Sequence, residues 1–463
     1  MQNFAKKYLA GRDGNSATDD KSEKPGLSKW FKSLAISGAI ITAGGAVEME
    51  TSFFSSLHFN SVANGNNCQT FKLNTESAPL AEGPYDERLG YSRTRDIMQR
   101  LLDRNFTLAS DTQWEECSIL GIPLFPFYDE KAQAGLNIVD QQGQPLFEAR
   151  YPRDVFKTYD DLPPLLVQSL LYVENRELLN TSVTRRNPAI EWKRLFFAIQ
   201  SDLRGAGGAG ASTLATQIEK FKHSPGGETS GDKVEKFRQM LTASTRSYQY
   251  GLDTTLSRHE IVLNYVNGIP MSAVPGFGEV HGFSDGLRAW FGKDPNDVSR
   301  LLQMDESELS EQDLRLKALA YRETLSIIMS VKKPTAYLRN NREELKERID
   351  AFLPLLAEEG IISDRLRDAA LKIDVTYADP REIRERYKTP ADPQKAKSSM
   401  QIDLMKMLGL DSLYQLNRYD LRAETTLDVP VDRAISQRLH DIKDPEIAAG
   451  YGLTGYRLLP EDG

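Results

Sequence analysis

The chemistry legible in this chain rests on one carboxylate and one small-residue turn. Leu170-Leu171-Tyr172-Val173-Glu174-Asn175-Arg176 sets Glu174 four residues after Leu170 and three after Leu171, on the apolar side of a helix. Desolvation raises the pKa of a carboxylate and suits it to accept a proton from a sugar hydroxyl near neutral pH. The bland alternative is a helix-end glutamate in a salt bridge with Arg176 or Arg194. From Gly210 to Lys220 the chain reads Gly-Ala-Ser-Thr-Leu-Ala-Thr-Gln-Ile-Glu-Lys, a loop that opens into a helix carrying Gln217 and Lys220. The amides and hydroxyls of Ser212 and Thr213 at that helix start suit an anion. On the next helical stretch, Lys236, Gln239, Ala243 and Arg246 share one face, with Val234, Phe237 and Leu241 on the other. Lys220, Lys222, Lys236 and Arg238 are expected to converge as a clamp for a pyrophosphate; a solvated helix face is the alternative.

Gly205 to Gly210 formally matches Gly-x-Gly-x-x-Gly, but that dinucleotide signal requires a preceding strand. Trp192 to Ile199 reads instead as an amphipathic helix, which excludes the dinucleotide reading. Ser330-Val331-Lys332-Lys333 fits Ser-x-x-Lys but has no Lys-Thr-Gly partner and reads as coincidence. Neither the five histidines nor the two cysteines have metal-ligand spacing.

These residues need helices to hold them. Asp161 with Pro163 and Pro164 marks a helix start, and Leu166, Leu170 and Val173 recur at helical spacing. Further helices are expected over Glu191 to Leu203, Ala211 to Phe221, Val234 to Ser247, Arg258 to Val266 and Glu343 to Glu359. The last should end at Gly360, with Ser363 capping the next. Leu136 to Val139 and Leu146 to Ala149, joined by Gln141-Gln142-Gly143-Gln144, predict a β-hairpin. Residues 375–400, rich in proline and charge, read as a linker. A strand over Ala423 to Leu427 followed by a helix is expected near the C-terminus. Residues 48–135 carry no pattern that assigns a fold.

At 463 residues with 40% hydrophobic and 27% charged side chains, the chain can bury more than one core. A net charge of −8 argues against a nucleic-acid partner. Residues 1–29 are polar and read as a disordered tail. Residues 30–47 read as a transmembrane anchor, with Lys32 snorkelling and Trp30 at the interface. Seven Lys and Arg lie in residues 1–32 and none from there to Lys72, so the remainder is expected outside the cytoplasm. A signal peptide and a buried core helix are the competing readings of this run. In an oxidising compartment Cys68 and Cys117 could pair, or remain two thiols.

The order of the motifs resembles glycosyltransferase family 51, the peptidoglycan glycan-chain polymerase of class A penicillin-binding proteins. That family shows Glu-Asp-x-x-Phe-x-x-His, Gly-Gly-Ser-Thr-Ile-Thr-Gln-Gln-Leu-x-Lys-Asn, Arg-Lys-x-x-Glu, Tyr-x-Asn and Tyr-Phe-Gly-Lys. This chain has Glu174-Asn175, Gly210 to Phe221, Glu235 to Gln239, Tyr265-Val266-Asn267 and Trp290-Phe291-Gly292-Lys293, in that order. Asn175 stands for the family's Asp, Leu178 for its Phe, the first motif's His is missing, and Gln239 falls where the family has a second glutamate. Glu424 to Pro430 is similar to the linker that precedes a transpeptidase in bifunctional members.

The resemblance implies a mainly α, lysozyme-like two-lobed domain over residues 136–375. Ahead of it would lie a small α+β region (48–135) and the anchor; residues 376–463 would be a linker and partial C-terminal region. It implies polymerisation of lipid II, a lipid-linked disaccharide-peptide, with undecaprenyl pyrophosphate released. Glu174 would be the base, Lys236 and Gln239 would complete the catalytic set, and Arg194, Ser212, Thr213, Gln217, Lys220, Arg238 and Asn267 would bind substrate. Mg²⁺ or Mn²⁺ is the only cofactor left open, and no metal ligand is assigned. Partners would be lipid II, nascent glycan, membrane lipid and other cell-wall proteins. The expected location is the bacterial inner membrane, single-pass, with the catalytic part periplasmic. A non-catalytic scaffold that binds precursor or glycan is the main rival, favoured by Gln239; a lytic enzyme on the same fold is a third reading.

Overall fold

Proline and apolar patterning set the central helix of the protein. In the computed structural model, α4 (Pro164–Glu174) starts with proline in its first turn and buries Leu165, Leu166, Val167, Leu170, Leu171 and Tyr172. A helix apolar on nearly every side must lie inside a core. Each fully buried leucine there contributes roughly 2 kcal/mol of transfer free energy. The structure describes residues 43–65, 67–73, 77–109, 113–203, 212–225, 233–387 and 395–453.

Around α4 pack α6 (Leu214–His223), α8 (Thr255–Gly268), α9 (Pro295–Gln303), the 20-residue α10 (Glu311–Ser330), α11 (Arg342–Glu358) and α12 (Asp364–Leu371). Between α4 and α8 in sequence lie α5 (Trp192–Leu203) and α7 (Lys233–Ser247). The helix starts follow side-chain chemistry: Ser310, Asn341 and Ser363 each accept a backbone N–H of the first turn. At the end of α11, Gly360 takes φ 72° and the chain closes by hydrogen bonds back onto Leu356 and Ala357. Helices therefore dominate, as expected.

The segment without a sequence pattern has a structure of its own. It comprises α1 (Phe53–Ala63), α2 (Pro84–Arg88), α3 (Thr94–Leu102) and a small antiparallel sheet. In that sheet β1 (Cys68–Lys72) and the hairpin partner β3 (Ile122–Pro123) pair with β2 (Gln113–Ile119), as does β4 (Phe127–Tyr128). Cys68 faces Cys117 across the β1–β2 register, and the two form a disulfide. The core of this region is completed from elsewhere: Phe59, Cys117, Ile119 and Leu124 pack with Leu241 and Tyr248, which belong to α7 and its end. Thr51 to Gly463 is one compact unit.

The expected hairpin forms as β5 (Ala134–Val139) and β6 (Pro145–Tyr151), antiparallel. Beyond the expectation, β9 (Leu421–Glu424) adds to β5 in parallel, giving the order β6-β5-β9. A second core forms beneath, from Ile97 and Leu101 of α3, Leu136, Ile138 and Leu421 of the sheet, and Leu404 of α14 (Lys395–Met407). Between β6 and β9 in sequence, Pro270–Val274 and Gly278–His281 form a two-stranded ribbon, β7–β8.

One expectation is corrected. Residues 375–400 are not a bare linker, because α13 (Pro380–Tyr387) lies within them and buries Ile383 in the main core. A single buried apolar residue among many charges hides such an element from a composition reading. The tail, residues 1–29, and most of the anchor, residues 30–47, lie outside the described residues, as does the loop Gly205 to Gly210. Residues 43–51 are helical. Among the described residues no helix is long and apolar enough to cross a membrane.

Candidate active site

Glu174 is the last residue of α4, and its side chain is 7% exposed. A buried carboxylate must find partners, and among the described residues this one finds Gln217 and Lys332. Its Oε2 accepts a hydrogen bond from Gln217 Nε2 at 3.1 Å, and its Oε1 lies 3.8 Å from Lys332 Nζ. Neither arginine offered by the sequence takes the carboxylate. Arg194 instead donates to the backbone carbonyl of Glu174 at 3.2 Å and to Glu191 Oε2 at 3.1 Å. Arg176 stacks on the Tyr172 ring.

Gln217 is held in turn. The Tyr265 hydroxyl donates to Gln217 Oε1 at 3.0 Å, which fixes the amide so that its N–H faces Glu174. Burial, then the charge of Glu174, push the Tyr265 phenol well above its usual range and keep it a donor. Three residues from α4, α6 and α8 thus form one relay, from Tyr265 through Gln217 to Glu174.

Asn175 closes α4 and explains a departure. Its Nδ2 donates to Glu191 Oε1, and its Oδ1 accepts from the Leu214 N–H at 3.0 Å. An aspartate could accept from Leu214 but could not donate to Glu191. At the same helix start Thr213 is spent as a cap: it accepts from Thr216 N–H and donates to Ala189 C=O at 3.0 Å. Ser212 is exposed just before it.

The cations divide into two groups. Lys220 and Lys236 are both exposed; desolvation, then the charge of Lys236, lower the proton affinity of Lys220. These two converge. Lys222 and Arg238 do not join them, which corrects the four-residue clamp. Lys222 is buried and donates to Glu130 Oε2 at 2.7 Å. Arg238 stacks over the Phe125 ring at 4.1 Å and approaches Glu235 at 3.8 Å. Both are drawn off by the segment before residue 136, whose contacts no helical pattern could announce.

Gln239 is buried and donates to Ser224 Oγ at 2.8 Å. A donating amide does not supply the carboxylate that a hard divalent cation takes, and the neighbouring Glu235 accepts from Ser224 and faces Arg238. Mg²⁺ or Mn²⁺ therefore does not fit this position. Among the described residues the one metal-like grouping is Cys68, Glu115 and Cys117, and its two sulfurs are joined to each other. Asn267 is also committed elsewhere: its amide accepts from Phe156 N–H at 3.0 Å and donates to Phe156 C=O at 2.8 Å. Lys293, from the last motif, lies 3.6 Å from Glu323, whose carboxyl burial pushes up to about 7.

With this geometry in place, residues 142–356 match the family model described as Transglycosylase. That match makes this region transglycosylase-like. No curated protein matches the chain. The matched transglycosylase domain contains the whole relay and both Lys220 and Lys236, and it supports glycosyl transfer to peptidoglycan at the level of the family. Lys332 is the site residue that sequence reasoning missed. Its Ser-x-x-Lys setting pointed to a different chemistry, and only the folding of α10 against α4 brings it to Glu174. Tyr265 stands within the Tyr-Val-Asn signal, which by resemblance points to Asn267 instead. A cavity of about 1220 Å³ elsewhere, lined by Leu101, Phe106, Leu404 and Leu421, includes none of the candidate site residues.

Proposed function

We propose that the protein is a peptidoglycan glycosyltransferase that extends glycan from a lipid-linked disaccharide-peptide. The reading assigns the domain a lysozyme-like, two-lobed form. The observation that carries it is the Glu174 carboxylate, buried at a helix end yet facing the exposed amine of Lys332. In the reaction Glu174 takes the proton from the acceptor's 4-hydroxyl as that oxygen attacks the anomeric carbon of the donor. The bond from that carbon to the pyrophosphate oxygen breaks, and undecaprenyl pyrophosphate leaves with the electron pair. Lys220 and Lys236 meet its charge, which offsets their mutual repulsion. Ser212 and Arg194 border the acceptor side in this reading. The test is incubation with labelled lipid-linked precursor and, separately, with intact glycan. Polymer from the first supports transfer; release of fragments from the second would replace it with lysis.

A second reading, a scaffold that binds precursor without turning it over, is favoured by Gln239. Its buried amide stands where a carboxylate is expected and is committed to Ser224. If the domain is active, turnover should be insensitive to chelator, because no carboxylate at this position draws a cation. Gln239→Glu assayed beside the wild type decides. Inactivity in both supports the scaffold, and strong inhibition of an active wild type by chelator would sink the metal-independent route.

The proposed location is the outer side of a bacterial inner membrane, with residues 30–47 as anchor and membrane lipid, nascent glycan and cell-wall proteins as partners. The Cys68–Cys117 disulfide supports an oxidising compartment.

A further inference from the structure

Glu130 lies outside the transglycosylase domain, just after β4, yet it reaches the two helices that carry Lys220 and Lys236. Its Oε2 accepts from Lys222 Nζ at 2.7 Å, and its Oε1 pairs with His223 Nε2 at 2.9 Å, both on α6. Arg246 of α7 brings NH1 to 3.5 Å from the same Oε1. Arg246 also pairs through Nε with Glu219 of α6 at 2.8 Å. His223 is gripped on its other side, with Nδ1 3.3 Å from Asp86 Oδ1. Lys222, His223, Glu219 and Asp86 have side chains no more than 2% exposed. The approach is close: a Cβ on Gly83 would meet the Lys222 carbonyl oxygen at 2.1 Å.

Lys220 and Lys236 repel, and Glu130 brings a further carboxylate, from outside the transglycosylase domain, to the joint that Arg246 and Glu219 make between α7 and α6. We propose that Glu130 is a positioning residue that fastens α6 to α7 and so holds Lys220 beside Lys236. The 77–131 segment is then part of the anion site although it touches no substrate. This rests on the reading of Lys220 and Lys236 as the leaving-group site. Three cations converge on Glu130 (Lys222 and His223 buried, Arg246 half-buried), so its loss leaves them short of one counter-charge and frees the helices to part.

The test uses the full chain with Glu130→Gln and, as a gentler break, Glu219→Gln, because burial already favours the neutral form of that carboxyl. Leu404→Ala, in the second core, is the destabilised control. Two readouts are taken: the NMR titration of Lys220 in lysine-labelled protein, and the affinity for inorganic pyrophosphate. Glu130→Gln is expected to raise the Lys220 titration toward that of an ordinary lysine and to weaken pyrophosphate by about tenfold. Glu219→Gln should shift both the same way by less, and Leu404→Ala should shift neither. A wild type that fails to bind pyrophosphate while Glu130→Gln still moves Lys220 sinks the leaving-group reading and supports the positioning role. Folded variants with unchanged Lys220 titration and affinity overturn the proposal, and if Glu130→Gln does not fold, Glu219→Gln alone decides. A shift of equal size in Leu404→Ala overturns it as well.

Discussion

At the scale of single residues, the departures from the family pattern acquire partners. Asn175 is an amide because it must both donate, to Glu191, and accept, from Leu214. Asn175→Asp is expected to cost about 1–3 kcal/mol of stability, since it loses a buried donor and sets two carboxylates together. Denaturant unfolding of the variant measures this, and a midpoint equal to wild type would remove the pairing from the account. Glu174 was legible because it breaks an apolar helix, and Gln217 because it follows a small-residue helix start. Lys332 was not, since its proximity to Glu174 is a property of how α4 and α10 pack, which no local pattern encodes.

At the scale of elements, helix boundaries followed caps and periodicity closely. Ser363 and Gly360 stand where the sequence placed them, and β5–β6 pairs as expected. Residues 48–135 were opaque because their apolar residues satisfy one another only after α7 supplies Leu241 and Tyr248. The joint between this region and α6 also predicts a pH response. Burial alone would lower the His223 pKa, but Glu130 and Asp86 raise it from 6.5 to about 9. The group binds its proton more tightly when folded, so its stabilisation is complete below pH 6.5 and is lost as pH rises through about 9. Burial works against Glu130 too, but Lys222, His223 and Arg246 hold it well below 4.5, so its contribution fades in acid instead. Melting temperature followed from pH 6 to 10 should fall on the alkaline side, and His223→Gln should flatten that fall. An unchanged alkaline slope in the variant would contradict the assignment.

At the scale of the whole molecule, the transglycosylase domain is built into a larger body rather than strung between linkers. The preceding segment braces α6 and α7, and the following one supplies β9 and Ile383. The disulfide closes a separation of 49 residues within that brace, and loop entropy assigns such a link about 4 kcal/mol. The charge asymmetry of the first 72 residues underlies the proposed location. Removing residues 1–47 should release the protein from membranes and impair use of long-chain precursor more than short-chain. Truncated protein that still sediments with membranes in high salt would place a second lipid-binding surface on the body.

The central claim is that Glu174 removes the acceptor's proton, and Glu174→Gln tests it most directly. The amide keeps the shape and still accepts a hydrogen bond from Gln217, so the melting temperature should stay near wild type. Polymerisation of labelled lipid-linked precursor should fall on the order of 10²–10⁴-fold. Polymer yield equal to wild type from the folded variant would contradict the account.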